Sequence, residues 1–275
     1  MQETVYTIPG IPPLALLTDF HSGDPTAVLA SLRTRQPKLI CLAGDLILGG
    51  RPKEELSPLT SSPTALPLLR ACAAIAPTFL SLGNHDLYLD QEDLDLIAST
   101  GTTVLHNSWT CLTLEGHTLC LGGLTSATVT SYWQHRASLH GVGRYPPRQD
   151  HSGLWGHLMP NSHKPLTDWL SRFTAAPGVH ILLCHHPEYY PLLPSSLDLI
   201  LSGHVHGGQW RYFSLKTGKM EGFYAPGQGF FPRWTRGIYD GRMVVSAGLT
   251  NTSWIPRFFN PPEIVYTRPD KEEAK

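Results

Sequence analysis

The stretch TFLSLGNHD, residues 78–86, joins a run of apolar residues to a cluster of polar ones. Its first part predicts a buried strand, and the glycine that follows predicts the turn where that strand ends. A turn rarely needs three different polar side chains in succession, so Asn84, His85 and Asp86 indicate more than a chain reversal. The stretch therefore predicts a strand whose carboxyl end carries chemistry.

Four other apolar runs end in the same way. The predicted strands and their polar ends are Leu14–Leu17 before Asp19-Phe20-His21, Lys38–Ala43 before Gly44-Asp45, Val179–Cys184 before His185-His186, and Leu197–Leu201 before Gly203-His204-Val205-His206. Any one cluster has an ordinary explanation as a turn, a helix cap or a surface pair. Five of them, each after a strand, do not. If the strands are parallel neighbours, their carboxyl ends meet at one edge and the clusters form one site.

The order of the remaining patterns predicts the fold class. Strand and helix patterns alternate in the first half, whereas the second half is richer in strands. Predicted helices begin at Asp24-Pro25, Ser62-Pro63 and Asp90, and later strands include the hairpin Thr110–Leu114 and Thr118–Leu121, then Met243–Ala247 and Glu263–Tyr266. We expect an α/β protein in which two mixed sheets lie face to face with helices outside.

The chain length, 275 residues, predicts a single domain over residues 1–275. Residues 126–164 have no clear periodicity and are rich in His, Arg, Gly and Pro. Long segments of this kind inside a compact domain are usually functional. We therefore expect an ordered insert there.

Composition and charge exclude several classes of protein. The net charge of −1 argues against a large basic surface for nucleic acid. No apolar run approaches the roughly 20 residues of a membrane helix, and the first residues do not read as a signal peptide. The five cysteines are scattered through the chain. These features favour a cytoplasmic protein with reduced core thiols.

The polar clusters supply imidazole, carboxylate and amide groups, and they contain no thiol. This mixture suits manganese, iron or zinc in a site that is not a structural cysteine–zinc site. Two divalent ions roughly 3.5–4 Å apart need a bridging carboxylate, and they hold both the attacking and the leaving oxygen of a phosphoryl displacement.

The order D-x-H, G-D, G-N-H-D, H and G-H-x-H, from Asp19 to His206, resembles the calcineurin-like metallophosphoesterase family. The resemblance implies a four-layer α/β/β/α sandwich and a phosphoesterase with two metal ions. The extended end HVHGGQ at residues 204–209, and the lack of a large extra domain, resemble a bacterial branch that includes UDP-diacylglucosamine hydrolases and lipid-linked phosphodiesterases.

The resemblance also assigns roles. Asp19, His21 and His206 would hold the first metal, Asn84, His185 and His204 the second, and Asp45 would bridge them. The ions would be divalent, with manganese preferred and iron or zinc as alternatives, and a hydroxide between them would be the nucleophile. His85 would act as general acid or bind phosphate, with Asp86 orienting its ring.

Two departures from the family pattern bear on these assignments. His186 stands where relatives often have a residue that does not ionise, so His185 and His186 both remain candidates for the ligand. The residues after Asp45, Leu46–Gly50, are apolar and lack the acidic or arginine residues of the family's protein phosphatases. This argues against a phosphoprotein substrate.

Two aromatic and basic segments predict the substrate class. They are Gly229–Arg236 and Trp254–Phe259, and both read as loops. Phe230, Phe231 and Trp254 would hold a lipid chain or a nucleobase, and Arg233, Arg236 or Arg257 would pair with a second phosphate. Alternatively, the rings fill the bottom of the sandwich.

We therefore expect a preference for phosphodiester or pyrophosphate bonds in amphiphilic or nucleotide-linked substrates. Contact with a membrane would be peripheral at most, with no nucleic acid and no partner protein.

Three other functions remain open from the sequence. One is a small-molecule phosphomonoesterase or cyclic-nucleotide phosphodiesterase. Another is a non-catalytic binding protein on the same fold, which metal content and turnover would distinguish. The third is a nuclease, for which the basic region of Arg144 and Arg148 is the only sequence feature in favour.

Overall fold

The computed structural model describes residues 1–48, 59, 62–127, 165–251 and 256–270. Its strands, in chain order, are β1 (Gln2–Thr7), β2 (Leu14–Leu17), β3 (Leu39–Ala43), β4 (Thr78–Ser81), β5 (Thr102–Leu105), β6 (Ser108–Leu114), β7 (His117–Leu124), β8 (Val179–Cys184), β9 (Leu199–Ser202), β10 (Arg211–Ser214), β11 (Lys219–Gly222), β12 (Tyr224–Ala225), β13 (Gly229–Phe230), β14 (Gly237–Tyr239), β15 (Met243–Val245) and β16 (Glu263–Arg268).

The helices in the described ranges are short. They are α1 (Thr26–Arg35), α2 (Ala65–Ala73), α3 (Gln91–Ala98) and α4 (Leu170–Ala175), with single 3-10 turns at Asp86–Tyr88, Pro187–Leu192 and His206–Gly208. None of these helices combines the length and the apolar character that crossing a membrane requires.

Two six-stranded mixed sheets form the frame of the molecule. Their strand orders are β1-β16-β2-β3-β4-β5 and β14-β15-β9-β8-β7-β6. Strands β2 to β5 run parallel to one another in the first sheet, as do β7, β8, β9 and β15 in the second. The strands that precede the five polar clusters are therefore parallel neighbours within their sheets, which is the condition on which the prediction of one site rested.

Three apolar clusters separate four layers. The middle cluster lies between the two sheets and includes Leu16, Leu121 and Leu183. An outer cluster covers the first sheet with α1, α2 and α3, and another covers the second sheet with α4. The predicted α/β/β/α sandwich is thus confirmed, because each sheet buries one face against the other sheet and one face against helices.

Several elements agree closely with the sequence patterns and others do not. The strand Val179–Cys184 has the predicted bounds, and Asp90 caps α3 in a reciprocal capping box with Asp93. The hairpins β10–β11 and β12–β13 were not predicted, because their residues show no clear alternation. The predicted insert at 126–164 lies outside the described residues except for Ser126 and Ala127.

The cysteines require a correction. Cys41, Cys72 and Cys184 are buried free thiols, as expected. Cys111 and Cys120, however, form a disulfide, because the register of β6 and β7 places them directly opposite each other with Cα atoms 4.1 Å apart. Disulfides are rare in reducing compartments, so the cysteine argument for a cytoplasmic location does not hold.

We expect Leu121→Ala to lower the free energy of unfolding by about 2–5 kcal/mol, because it leaves a cavity between the two sheets. Urea denaturation measures the change. Leu96→Ala, on the exposed side of α3, is the matched control and should cost less than about 1 kcal/mol. Similar losses for the two variants would contradict the placement of Leu121 in the inter-sheet core.

Candidate metal centre

The polar ends of five strands meet at one place. Strands β2, β3 and β4 of the first sheet deliver Asp19, His21, Asp45 and Asn84, and strands β8 and β9 of the second sheet deliver His185, His204 and His206. Six of these seven side chains are buried, and His206 lies at the edge with partial exposure. Ligand-type atoms of six of these residues lie close together, and Asn84 lies near the end of β4.

The backbone at these positions is unusual. Asp19, His21, Asp45, His204 and His206 all have left-handed conformations, with φ between 45° and 70°. A side chain with a Cβ atom rarely adopts this region, and it costs about 1–3 kcal/mol at each position. Such strain persists where the fold uses it, and here it turns the side chains inward directly after each strand.

Asp45 lies at the centre of the cluster. Its Oδ2 atom is 3.1 Å from His185 Nε2 and 3.6 Å from His21 Nε2, so it faces ligands from both sheets. Its Oδ1 atom accepts a hydrogen bond of 2.9 Å from the backbone N–H of His85. A carboxylate in this position can bridge two ions.

Asp45 contacts one group of ligand atoms and belongs to another. In the first, Asp19 Oδ1 is 3.8 Å from His21 Nε2 and 3.7 Å from His206 Nε2. The second consists of Asp45, His185 and His204. Within each group the ligand atoms all lie within 4.8 Å of one another, a spacing that a single ion can span.

Backbone carbonyls orient two of the imidazoles. His185 Nδ1 donates to Ala43 O at 2.8 Å, and His21 Nδ1 donates to Ile47 O at 3.3 Å. Since a carbonyl only accepts, each Nδ1 carries a hydrogen, and each Nε2 faces the Asp45 carboxylate as the atom available to an ion. This is the arrangement that metal-binding histidines use.

Burial and charge act against each other in this cluster. Burial alone would raise the pKa of Asp45, but His185 and His85 outweigh it and hold that pKa well below the usual value. Burial alone would lower the pKa of His185, but the Asp45 carboxylate raises it to about 10. The pKa of His21 falls to about 3, because burial dominates there. A bound cation would take the place of the His185 proton.

Two buried atoms show that the residues fit a cation. His21 Nε2 and Asn84 Oδ1 have no hydrogen-bond partner within the described ranges, although both are enclosed. A buried polar atom without a partner costs roughly 1–3 kcal/mol, so native proteins seldom contain one without a reason. Both atoms have lone pairs, and His21 Nε2 faces the carboxylates of Asp19 and Asp45.

Asp86 does not have its predicted partner. Its carboxylate accepts hydrogen bonds from the backbone N–H groups of Asp45 (2.7 Å), Gly83 (2.9 Å) and Ile47 (3.2 Å). His85 instead uses Nδ1 to contact the carbonyl oxygen of Leu48. The prediction that Asp86 orients the His85 ring is wrong. The turns after β3 and β4 leave three backbone N–H groups without partners in the sheet, and the Asp86 carboxylate accepts hydrogen bonds from all three.

His85 lies at the mouth of the cluster and is partly exposed. Its ring meets the His21 ring edge-on, with centroids 4.8 Å apart. It also has a nitrogen close enough to His21 and Asp45 to form a third group of ligand-type atoms. The position therefore allows either contact with a substrate or contact with an ion.

His186 has hydrogen-bond partners other than Asp45. Its Nε2 lies 2.6 Å from Ser126 Oγ and its Nδ1 lies 3.0 Å from Glu188 Oε1, so both ring nitrogens have partners. Its ring packs on that of His204, with centroids 4.0 Å apart. The contact between His185 and Asp45 favours His185 as the ligand beside Asp45, and His186 forms a further group of ligand-type atoms with Glu188 and His204.

The residues predicted to contact substrate have different surroundings. Phe230 and Phe231 are exposed, and Arg233 is exposed with its guanidinium over the ring of Trp234, 5.0 Å from the centroid. Trp254 lies outside the described residues. The other two arginines, Arg236 and Arg257, contact groups inside the protein. They are therefore not available to a second phosphate, and the prediction for them is corrected.

Arg236 forms an ion pair of 2.7 Å with Glu263, a buried carboxylate that needs a positive partner. Arg257 donates to the carbonyl oxygens of Ala247 and Thr250, and its Nη2 lies 2.9 Å from His206 Nδ1. Both guanidinium groups thus serve the fold around the site.

One residue at the site escaped the sequence analysis. Asn260 donates to the carbonyl oxygens of His206 (2.6 Å) and Gln209 (3.1 Å) and so holds the turn that carries His206. It lies 54 positions after His206, and no local pattern connects the two.

The model of the calcineurin-like phosphoesterase family matches residues 12–208, which include every strand end of the cluster. The chain belongs to this family. Family members depend on metal ions, which agrees with the clustered ligand atoms. The match does not reach the finer level of the UDP-diacylglucosamine hydrolase branch, which remains a resemblance.

Two curated relatives of this chain are uncharacterised proteins. The YpbG protein of Bacillus subtilis is 24% identical over 209 residues, which is 74% of this chain and 65% of the relative. A metallophosphoesterase of Helicobacter pylori is 28% identical over 264 residues, which is 93% of this chain and 59% of the relative. The chain thus spans less than two thirds of the length of these relatives.

Solved structures also align with the chain. The phosphopantetheinyl hydrolase PptH of Mycobacterium tuberculosis covers 93% of this chain and 98% of its own, at 14% identity and a TM-score of 0.45. The NAD nucleotidase of Haemophilus influenzae covers 74% of this chain and 40% of its own, at 17% identity and a TM-score of 0.43.

We expect Asp45→Asn to lower the affinity for metal ions at both positions by more than roughly 100-fold, because two cations would lose their shared carboxylate. Elemental analysis after loading metal-free protein with manganese measures the ions per chain. Asp95→Asn, an exposed carboxylate on α3, is the control and should bind as the original chain does. Two ions retained by the Asp45 variant would contradict the bridging position.

Proposed function

We propose that this chain hydrolyses phosphodiester or pyrophosphate bonds with the help of two divalent metal ions. The observation that carries the proposal is the position of the Asp45 carboxylate, whose Oδ2 atom lies 3.6 Å from His21 Nε2 in one group of ligand atoms and 3.1 Å from His185 Nε2 in the other. Membership of the calcineurin-like phosphoesterase family supports the same reaction class.

The ions would supply Lewis acidity, which polarises the phosphoryl group and lowers the pKa of a water molecule. The residues that would hold them are Asp19, His21 and His206 for one ion, Asn84, His185 and His204 for the other, and Asp45 for both. Carboxylate, imidazole and amide donors without a thiol suit manganese first, with iron or zinc as alternatives.

The chain holds these ligands in place before any substrate arrives. Hydrogen bonds to Ala43 O and Ile47 O fix the rings of His185 and His21, and the His85 N–H fixes one oxygen of Asp45. A site with fixed dipoles and charges needs little reorganisation when charge develops on a transferring phosphoryl group. The left-handed backbone turns after the strands also keep these ligand side chains in place.

His85 is the candidate for proton transfer to the leaving oxygen. It is the partly exposed histidine beside His21 and Asp45 at the mouth of the cluster. Because Nδ1 contacts Leu48 O, the proton for the leaving group would come from Nε2. The Leu48 carbonyl thus takes the positioning role that the sequence analysis gave to Asp86.

We expect His85→Asn to slow turnover by roughly 10²–10⁴-fold while the metal content stays unchanged, because a general acid is lost. The measurement compares turnover for a diester with a p-nitrophenol leaving group and one with an alcohol leaving group. The loss should be smaller for p-nitrophenol, which leaves without a proton.

Equal losses with both leaving groups would contradict the general-acid role and favour phosphate binding by His85. A loss of metal in the same variant would instead assign His85 to the ligand set. His117→Asn, on the exposed start of β7, is the control for an effect of removing any imidazole.

An amphiphilic substrate fits the surroundings of the cluster. Trp210 follows His206 by four residues, so the two Cα atoms lie within about 14 Å of each other. Phe231 belongs to the group of aromatic side chains that includes Trp210, and Phe230 lies beside it. Arg233 is the predicted phosphate-binding arginine that remains exposed. These features support a substrate with an apolar part, such as a lipid-linked or nucleotide-linked phosphodiester or pyrophosphate.

We expect Phe230→Ala combined with Phe231→Ala to lower kcat/KM roughly tenfold or more for a phosphodiester with a long alkyl chain, supplied as monomers in solution. The same variant should lose less than about twofold on p-nitrophenyl phosphate. Phe213→Ala, a comparably exposed ring on β10, is the matched control.

Equal losses on both substrates, or no loss on either, would show that the rings are structural, and the amphiphilic substrate would have to be abandoned. Faster hydrolysis of small phosphomonoesters than of any diester would instead support a phosphomonoesterase.

A further inference from the structure

Six aromatic side chains form a continuous surface beside the metal centre. They surround an open depression of about 540 Å³, together with Arg211. We call this group the aromatic surface; its members are Trp210, Tyr212, Phe223, Phe231, Phe258 and Phe259. They come from three separate segments: residues 210–212 at the start of the β10–β11 hairpin, residues 223–231 in and beside the β12–β13 hairpin, and residues 256–260.

The aromatic surface is exposed and firmly held. Phe231 and Phe259 are 67% and 79% exposed. The backbone beneath them is nevertheless fixed, since Phe231 N donates to Phe223 O at 2.9 Å and Trp210 Nε1 donates to Pro256 O at 2.9 Å. Rings held outward in this way present apolar area to water at a free-energy cost. A contiguous exposed patch of this kind marks an interaction site.

The charge around the aromatic surface is opposite in sign to that of the whole chain. Residues 209–236 contain five basic residues and one acidic residue, whereas the chain has a net charge of −1. Arg236 is neutralised by Glu263, but Lys216, Lys219 and Arg233 are exposed. Leu215, at the tip of the β10–β11 hairpin beside Lys216, is 93% exposed.

We propose that the aromatic surface docks onto an anionic phospholipid bilayer. The rings would enter the headgroup region, and the exposed lysines and Arg233 would lie against lipid phosphates. A second copy of the chain fits this face less well, because two basic segments would meet and repel each other. The docking does not depend on the proposed hydrolysis and can be measured without it.

The position of the aromatic surface gives docking a consequence for the site. The turn from His206 to Trp210 connects the two, and Asn260 fixes that turn through the carbonyl oxygens of His206 and Gln209. A chain docked through these rings would hold the metal centre within reach of lipid headgroups.

Co-sedimentation with vesicles tests the proposal. The full chain is mixed with vesicles of phosphatidylcholine alone, or of phosphatidylcholine with phosphatidylglycerol, at low and high salt. We expect it to sediment with the anionic vesicles and less with the neutral ones, and high salt should weaken the binding.

Phe258→Ser with Phe259→Ser should lower the partitioning onto anionic vesicles by at least roughly tenfold. Lys216→Glu with Lys219→Glu should weaken binding to anionic vesicles only. The matched control is Leu96→Ser with Leu192→Ser, which removes two apolar side chains of comparable exposure from other elements. The unfolding midpoint of each variant confirms that it folds.

Failure of the original chain to sediment with anionic vesicles would overturn the proposal. An equal loss in the Leu96 and Leu192 control would also overturn it. Sedimentation equilibrium without vesicles tests whether the chain forms a dimer. A dimer that the Phe258 and Phe259 variant dissociates would assign the aromatic surface to a second copy in place of a bilayer. Loss of vesicle binding with unchanged hydrolysis of soluble diesters would leave the proposed function intact.

Discussion

The buried carboxylate of Asp86 ties together the ends of two strands, and the metal centre depends on this contact. Its oxygens accept the N–H groups of Gly83, Asp45 and Ile47, which the turns after β3 and β4 leave without partners in the sheet. Burial raises the pKa of Asp86 to about 6, with the Asp45 charge adding to it. The close approach also explains a glycine, since a Cβ atom at position 83 would lie 2.2 Å from Asp45 Oδ1.

The backbone conformations and buried polar atoms of the site cost free energy, and burial of apolar side chains in the rest of the fold offsets this cost. Left-handed backbone at Asp19, Asp45 and His204, together with buried lone pairs at Asn84 and His21, would destabilise an isolated segment. Three continuous apolar clusters hold the two sheets in place around it. Local rules are broken at the turns that carry the ligand-type side chains, which is the usual relation between a scaffold and a functional site.

The metal centre and the aromatic surface share structural supports. Arg257 contacts His206 from the segment that also carries Phe258, and Asn260 holds the turn between His206 and Trp210. His206 of the candidate metal centre and the exposed aromatic rings are thus anchored by one short stretch, residues 257–260. The sequence suggested Arg236 and Arg257 as phosphate-binding residues. Arg236 instead pairs with Glu263, and Arg257 donates to backbone carbonyls, because a buried carboxylate or carbonyl competes strongly for a guanidinium.

The sequence by itself determined the layered α/β fold and the residues that meet at the metal centre, because both follow from local patterns. An apolar run followed by a polar cluster marks a strand end wherever it occurs, and parallel strands bring their carboxyl ends to the same edge. Only the tertiary structure decided the partners of Asp86, Arg236 and Arg257, the disulfide of Cys111 and Cys120, and the exposure of the aromatic surface. These depend on strand register and on contacts between residues far apart in the chain, which no local periodicity encodes.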